Sequence, residues 1–124
     1  MRKVLIVDDS ATMRKILMRS LRQAEIKLEE ILEASNGIEA LAQIASNPEI
    51  ELILSDINMP EMGGIDLVKN VRATKTADEL PILMVTTEGG SGMVASAMES
   101  GANGYVTKPF TPEVLKDAIQ RINS

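Results

Sequence analysis

Short apolar runs alternate with helix-spaced apolar positions about five times along the chain. Val4-Leu5-Ile6-Val7 is continuous rather than alternating, the pattern of a strand buried on both faces. After it, Met13, Ile16, Leu17, Leu21 and Ala24 fall at i, i+3, i+4 spacing and predict an amphipathic helix. Its other face carries Arg14, Lys15, Arg19 and Arg22. Glu30–Ala34 reads as a weaker strand. Ser35 and Asn36 then offer caps for a helix holding Ile38, Leu41, Ala42 and Ile44, with Pro48 beyond its stop.

Glu51–Ser55 is the third strand. A loop with Pro60 and Gly63-Gly64 leads into a helix built on Ile65, Leu67, Val68 and Val71. Pro81 opens the fourth strand, Ile82–Val85, and the run Glu88-Gly89-Gly90-Ser91-Gly92 after it predicts backbone mobility. A short helix over Met93–Ser100 follows, with Gly101 placed as its C′ residue. Tyr105–Thr107 is the last strand. Thr111-Pro112-Glu113 combines an N-cap, a proline at the first helical position and an acid at the positive dipole end, and Leu115, Ala118, Ile119 and Ile122 form the stripe of that final helix. Alternation of this kind predicts an α/β fold with a parallel sheet, whose functional edge lies at the strand C-termini. No linker, repeat or second domain interrupts it.

Composition narrows the chemistry more than the fold. The chain has 124 residues and a net charge of −5, with 18 acids against 13 basic residues. That balance argues against general nucleic-acid or anionic-membrane binding. With no cysteine and no histidine, disulfides, thiolate or imidazole metal sites and Ser/His triads are all excluded. One tyrosine, Tyr105, and one phenylalanine, Phe110, leave a core that must be aliphatic, with methionine filling gaps. Met59 and Met62 read as loop packing, while Met93 and Met98 fit either the sheet or an adaptable docking face. Neither a signal peptide nor a membrane-spanning run is visible, which points to the cytoplasm.

Chemistry collects where the strands stop. Val4–Val7 ends in Asp8-Asp9, the third strand ends in Asp56, the fourth in Thr86-Thr87 and the fifth in Lys108. In isolation Asp8-Asp9 reads as a helix cap, Asp56 as a turn residue and Lys108 as a solvated charge. Joint placement at four strand ends changes that. Carboxylates at about 4 Å and an effective dielectric near 20 repel by about 4 kcal/mol per pair. A hard divalent cation resolves the repulsion, and Mg²⁺ prefers oxygen ligands with retained waters. Asp8, Asp9 and Asp56, with a backbone carbonyl and waters, make such a sphere. Asp56 is the nucleophile candidate, able to form an acyl phosphate. Lys108 and the Thr86 hydroxyl can compensate the phosphoryl oxygens, and the reaction needs no histidine in this chain.

With these residues in place the chain resembles the response-regulator receiver domain. VLIVDDS, SDINMPEMGGIDL, PILMVTT and GANGYVTKPF carry the resemblance, and their order and spacing cover essentially all 124 residues. Among receivers the chain is most similar to the stand-alone chemotaxis type. The resemblance implies a flavodoxin-like, doubly wound, five-stranded parallel sheet in the order 2-1-3-4-5 with five helices. It implies one receiver domain over residues 1–124 without an output domain, and a monomer. It further implies a phosphorylation-activated switch of a two-component system, catalysing only its own phosphorylation and dephosphorylation.

By resemblance, Asp56 accepts a phosphoryl group from a histidine kinase, a phosphotransfer domain or a small acyl phosphate. Asp9, Asp56 and the Asn58 backbone carbonyl hold Mg²⁺ directly, and Asp8 acts largely through water. Lys108 pairs with the phosphoryl group, and its bond to Pro109 is expected to be cis. Thr86 moves toward the phosphoryl oxygen and Tyr105 inward. The surface of the fourth helix, fifth strand and fifth helix then changes toward a downstream protein, such as a flagellar motor switch. Asn58 and Glu88 stand where receivers tune phosphate lifetime. The basic face of the first helix is either a solvated face or the place where the kinase docks.

Other readings stay open. The chain could serve a phosphorelay outside chemotaxis, or be the receiver of a longer regulator. A haloacid-dehalogenase-type phosphohydrolase needs a second acid two positions after the first, where this chain has Ser10. A flavin module of the same topology would meet repulsion between Asp8-Asp9 and the flavin phosphate.

Overall fold

Continuous apolar runs form the inner layer because alternate side chains of a strand leave on opposite faces, and here helices cover both. The computed structural model describes residues 3–87 and 92–123. In chain order the elements are β1 (Lys3–Val7), α1 (Ala11–Gln23), β2 (Glu30–Ala34), α2 (Gly37–Ser46), β3 (Ile50–Ser55), α3 (Gly64–Arg72), β4 (Ile82–Thr86), α4 (Gly92–Ser100), β5 (Gly104–Thr107) and α5 (Pro112–Asn123). The strands pair in parallel in the order β2-β1-β3-β4-β5, as the family resemblance implies.

The pleat sorts the core into two layers. Leu5 and Val7 of β1, Ile53 of β3 and Ile82 and Met84 of β4 pack with Leu67, Val68 and Val94, under α2, α3 and α4. Val4, Ile6, Leu52, Leu54, Leu83 and Val85 point the other way and pack with Leu17, Leu21, Leu115 and Ile119 of α1 and α5. Both layers are aliphatic, with Met84 fully buried in the first.

Local chemistry sets the helix ends. Ser10, not the acid pair, caps α1, its Oγ accepting from the Met13 N–H at 3.2 Å. At α2 the cap is Asn36, which accepts from Glu39 N–H at 2.9 Å, while the Glu39 carboxylate accepts from Ser35 N–H at 2.9 Å. α4 closes in a Schellman motif: Gly101, at φ +119°, donates to Met98 O, and Ala102 donates to Ala97 O. Thr111 caps α5 by accepting from Val114 N–H at 3.1 Å.

Arg72, the last residue of α3, ties the far ends of several elements together. Its guanidinium donates to the carbonyls of Gly101 at 2.8 Å, Leu80 at 2.9 Å and Thr76 at 3.1 Å, and to Asn103 Oδ1 at 2.9 Å. The same Asn103 oxygen accepts from Ile82 N–H at 2.9 Å. α3, the end of α4 and the start of β4 are thus bolted at the edge opposite the strand C-termini.

Some sequence expectations divide. Ile16 and Ile38, assigned to apolar stripes, are 41% and 52% exposed. Met93 packs against the core, whereas Met98 is exposed on α4. The glycine-rich run and its expected mobility lie outside the described residues except for Gly92. Among the described residues no helix is long and apolar enough to cross a membrane.

Candidate functional site

Register alone brings the acids together. Val7 pairs with Ser55, so Asp8 and Asp56 leave adjacent strands side by side, and Asp56 N–H donates to Val7 O at 2.9 Å. Thr86 pairs with Thr107, and Lys108 N–H donates to Thr86 O at 2.8 Å, which carries Lys108 to the same edge. The Lys108–Pro109 bond is cis, as expected.

Lys108 reaches inward between two carboxylates. Its Nζ lies 2.9 Å from Asp8 Oδ2 and 3.4 Å from Asp56 Oδ2, and the side chains of all three are largely buried. Asp8 Oδ1 accepts from Ser10 N–H at 2.9 Å, and Asp56 Oδ1 from Ile57 N–H at 2.7 Å. Carboxylate oxygens of Asp8, Asp9 and Asp56 lie within 4.8 Å of one another, with Asp9 the exposed member. The Lys108 ammonium therefore meets two of the three acids and leaves Asp9 without it.

Electrostatics records the shortfall. Burial pushes the Asp56 carboxyl above its usual range. The Lys108 charge and the Ile57 N–H pull it back, and the Asp8 charge pushes it further up. This donor set, all oxygen and short of positive charge, fits a hard divalent cation of the Mg²⁺ type and offers no nitrogen or sulfur ligand to a softer metal.

The remaining predicted residues fall around this centre. Thr86 closes β4 and is 1% exposed. Asn58 is exposed in the loop after β3, where it lines with Asp9, Ile57, Met59 and Met93 a cavity of about 570 Å³. Tyr105 lies on β5 and is 46% exposed, pointing out beside a second cavity of about 430 Å³ with Met98 and Ile122. Glu88 lies outside the described residues.

The loop carrying Asn58 is fastened to α2. Gly37 N–H donates to Met62 O at 2.8 Å, Asn36 Nδ2 donates to Glu61 Oε2 at 3.1 Å, and the Met62 side chain packs so closely on Gly37 that it would have to shift to admit a Cβ there. The sequence points to loop packing for Met62 but does not reveal its partner. For Arg14 the sequence suggests a solvated or kinase-docking cation, yet the side chain is held by Glu33 and by the Asp8 backbone. No local sequence signal marks a contact between residues nineteen positions apart.

The shared cation has a direct consequence for stability. Lys108→Met leaves the Asp8 and Asp56 charges facing each other without it. In EDTA at neutral pH this variant is expected to lose about 2 kcal/mol, the scale of hydrogen bonds to charged groups. Urea unfolding checks it, and added Mg²⁺ should return part of the loss.

Comparison with known proteins places the chain in a family. Residues 4–120 match the family described as response regulator receiver domain. Over 118 residues the chain is 47% identical to the chemotaxis protein CheY1 of Helicobacter pylori, an alignment covering 95% of this chain and 94% of that protein. It is 45% identical over 120 residues to the chemotaxis protein CheY homolog of Campylobacter jejuni, covering 97% of this chain and 91% of that one. The solved chemotaxis response regulator CheY4 of Vibrio cholerae matches with a TM-score of 0.83 at 40% identity, over 98% of both chains.

Proposed function

The chain belongs to the response regulator receiver family, and from that premise we propose that it is a phosphorylation-activated chemotaxis switch with Asp56 as its phosphoacceptor. The observation that carries the assignment is Lys108 reaching both Asp8 and Asp56 within one acid triad. The similarity to chemotaxis regulators over nearly their full lengths supports a regulator that works as a receiver alone, over residues 1–124.

Asp56 Oδ1 accepts the shorter bond, from the Ile57 N–H at 2.7 Å, and Oδ2, held more loosely by Lys108 at 3.4 Å, is the oxygen that attacks. It forms a bond to phosphorus as the bond to the donor nitrogen or oxygen breaks and the electron pair leaves with the donor. A histidine kinase or phosphotransfer domain supplies that donor as phosphohistidine, and a small acyl phosphate can replace it. Lys108 Nζ, already 3.4 Å from Oδ2, shifts onto a phosphoryl oxygen. The Thr86 hydroxyl takes another. Asp9, Asp56 and the Asn58 backbone carbonyl would hold Mg²⁺, with Asp8 acting through water, and the bound ion would supply positive charge to the phosphoryl oxygens.

Once phosphorylated, Asp56 biases a two-state element. Thr86 moves toward the phosphoryl group and Tyr105, exposed in this structure, moves inward. The α4-β5-α5 face then changes its affinity for a downstream protein, the flagellar motor switch in this reading. Asn58 and Glu88 set access of the hydrolysing water. No external substrate is turned over, and the protein acts as a cytoplasmic monomer.

The test is incubation with acetyl phosphate in Mg²⁺ and in EDTA, read by intact mass. Gain of one phosphoryl group in Mg²⁺ alone is the expected result. An unchanged mass while calorimetry shows Mg²⁺ bound would refute self-catalysed transfer.

A further inference from the structure

Asp8 is held at every polar atom. Its N–H donates to Ala34 O at 3.1 Å, Oδ1 accepts from Ser10 N–H, and Oδ2 takes the Lys108 ammonium. The remaining atom, its backbone carbonyl, accepts from Arg14 Nη1 at 2.7 Å. That carbonyl belongs to the same planar peptide as the Asp9 N–H, and a peptide plane turns as one rigid unit. Whatever fixes the Asp8 carbonyl therefore fixes this plane and the Asp9 Cα at its far end, and so narrows the directions in which the Asp9 side chain can leave the backbone.

Arg14 is itself fixed. Its Nε donates to Glu33 Oε1 at 2.9 Å, and its side chain is only 17% exposed. The Glu33 carboxylate is 43% exposed, so this ion pair contributes little stability by itself. Its effect is orientation: two bonds at different nitrogens set the plane of the guanidinium over the end of β1. Asp9, by contrast, is the exposed acid of the triad and depends on its backbone for aim.

We infer that Arg14 is a positioning residue for the cation site, holding the Asp8–Asp9 peptide so that Asp9 is aimed at the cation, and thereby raising Mg²⁺ affinity. The inference rests on reading the three acids as a Mg²⁺ site. Charge alone gives the opposite sign, since removing a cation beside three carboxylates should favour a divalent cation.

Calorimetric Mg²⁺ titration of the parent, Arg14→Met, Arg14→Lys and Asp9→Asn separates these effects. Arg14→Met is expected to bind about tenfold more weakly, the usual cost of losing a partner that orients a metal ligand. Arg14→Lys keeps the charge but cannot hold the carbonyl and Glu33 in one fork, and about threefold weaker binding is expected. Glu33→Gln keeps an acceptor for Nε and should bind as the parent does. Unchanged or tighter binding in both Arg14 variants overturns the inference while leaving the Mg²⁺ site intact. A parent that binds no Mg²⁺, or an Asp9→Asn variant that binds as well as the parent, overturns the site reading and the inference with it.

Discussion

Asp56→Asn is expected to take up no phosphoryl group from acetyl phosphate and, in EDTA at neutral pH, to be more stable than the parent. The first half follows from chemistry. An amide oxygen is too weak a nucleophile to form the acyl phosphate, and the neighbouring acid, Asp8, is only 1% exposed and so closed to a donor. The second half follows from the environment. Burial raises the Asp56 pKa above the ordinary carboxylate value of 3.8, against the pull of Lys108 and the Ile57 N–H. The folded protein therefore holds this proton more tightly than the unfolded chain does. Its contribution to stability is complete below the unfolded pKa and is lost as pH rises through the raised folded pKa.

The amide does not titrate, so the stability gap between Asp56→Asn and the parent should widen across that window and then level off. A gap of about 1 kcal/mol is expected on the plateau, in the range seen when a poorly compensated buried charge is neutralised. Mg²⁺ should close or reverse the gap by stabilising only the intact triad well. Urea unfolding of both proteins at several pH values, with EDTA and with Mg²⁺, measures all of this. A gap that shrinks as pH rises would contradict the assignment of Asp56 as the strained acid.

Gly64→Ala is expected to destabilise the protein by about 3 kcal/mol or more and to weaken the site with it, because overpacking against fixed atoms is costly. Helix propensity argues the other way, since alanine inside a helix is favoured over glycine by about 1 kcal/mol. The neighbours decide the sign. A Cβ at Gly64 would run into the Asp56 backbone carbonyl oxygen and meet Met84 Cε at 2.8 Å and Ile57 Cα at 3.0 Å. Two of those three are backbone and cannot swing aside. The same Asp56 carbonyl accepts from Ser55 Oγ at 2.8 Å, and Gly64 N–H donates to Ile57 O at 2.8 Å, so α3 begins in direct contact with the backbone that carries Asp56. Gly92 is the matched control, since a Cβ added there would meet nothing within 4 Å. Its alanine variant should stay within about 0.5 kcal/mol of the parent, as open positions usually do.

The sheet was legible because a strand buried on both faces needs an unbroken apolar run, and β1, β3 and β4 each have one. The acids and Lys108 were legible because each stands at or next to the end of a predicted strand, and parallel strands bring their ends together. Strand order came only with the family resemblance, since periodicity carries no information about neighbours. Contacts made by long side chains were not legible. Spacing puts Arg14 on a solvent-facing basic stripe and says nothing of Arg72, yet both fold back onto backbone carbonyls that only the tertiary structure supplies. The Gly63-Gly64 pair announced a turn, but turn propensity does not reveal that Gly64 is required by the carbonyl lying against it.

The exposed ring of Tyr105 makes this molecule its own optical probe. It is the one tyrosine in a chain without tryptophan, and Phe110 is the only other aromatic residue. Tyrosine emission and almost all the near-ultraviolet dichroism therefore originate on β5, at the face between α4 and α5. A quencher dissolved in the buffer reads how far that ring stands in water, and a partner that covers it will shield it. No dye, label or engineered fluorophore has to be placed on the surface whose occupancy is being asked about.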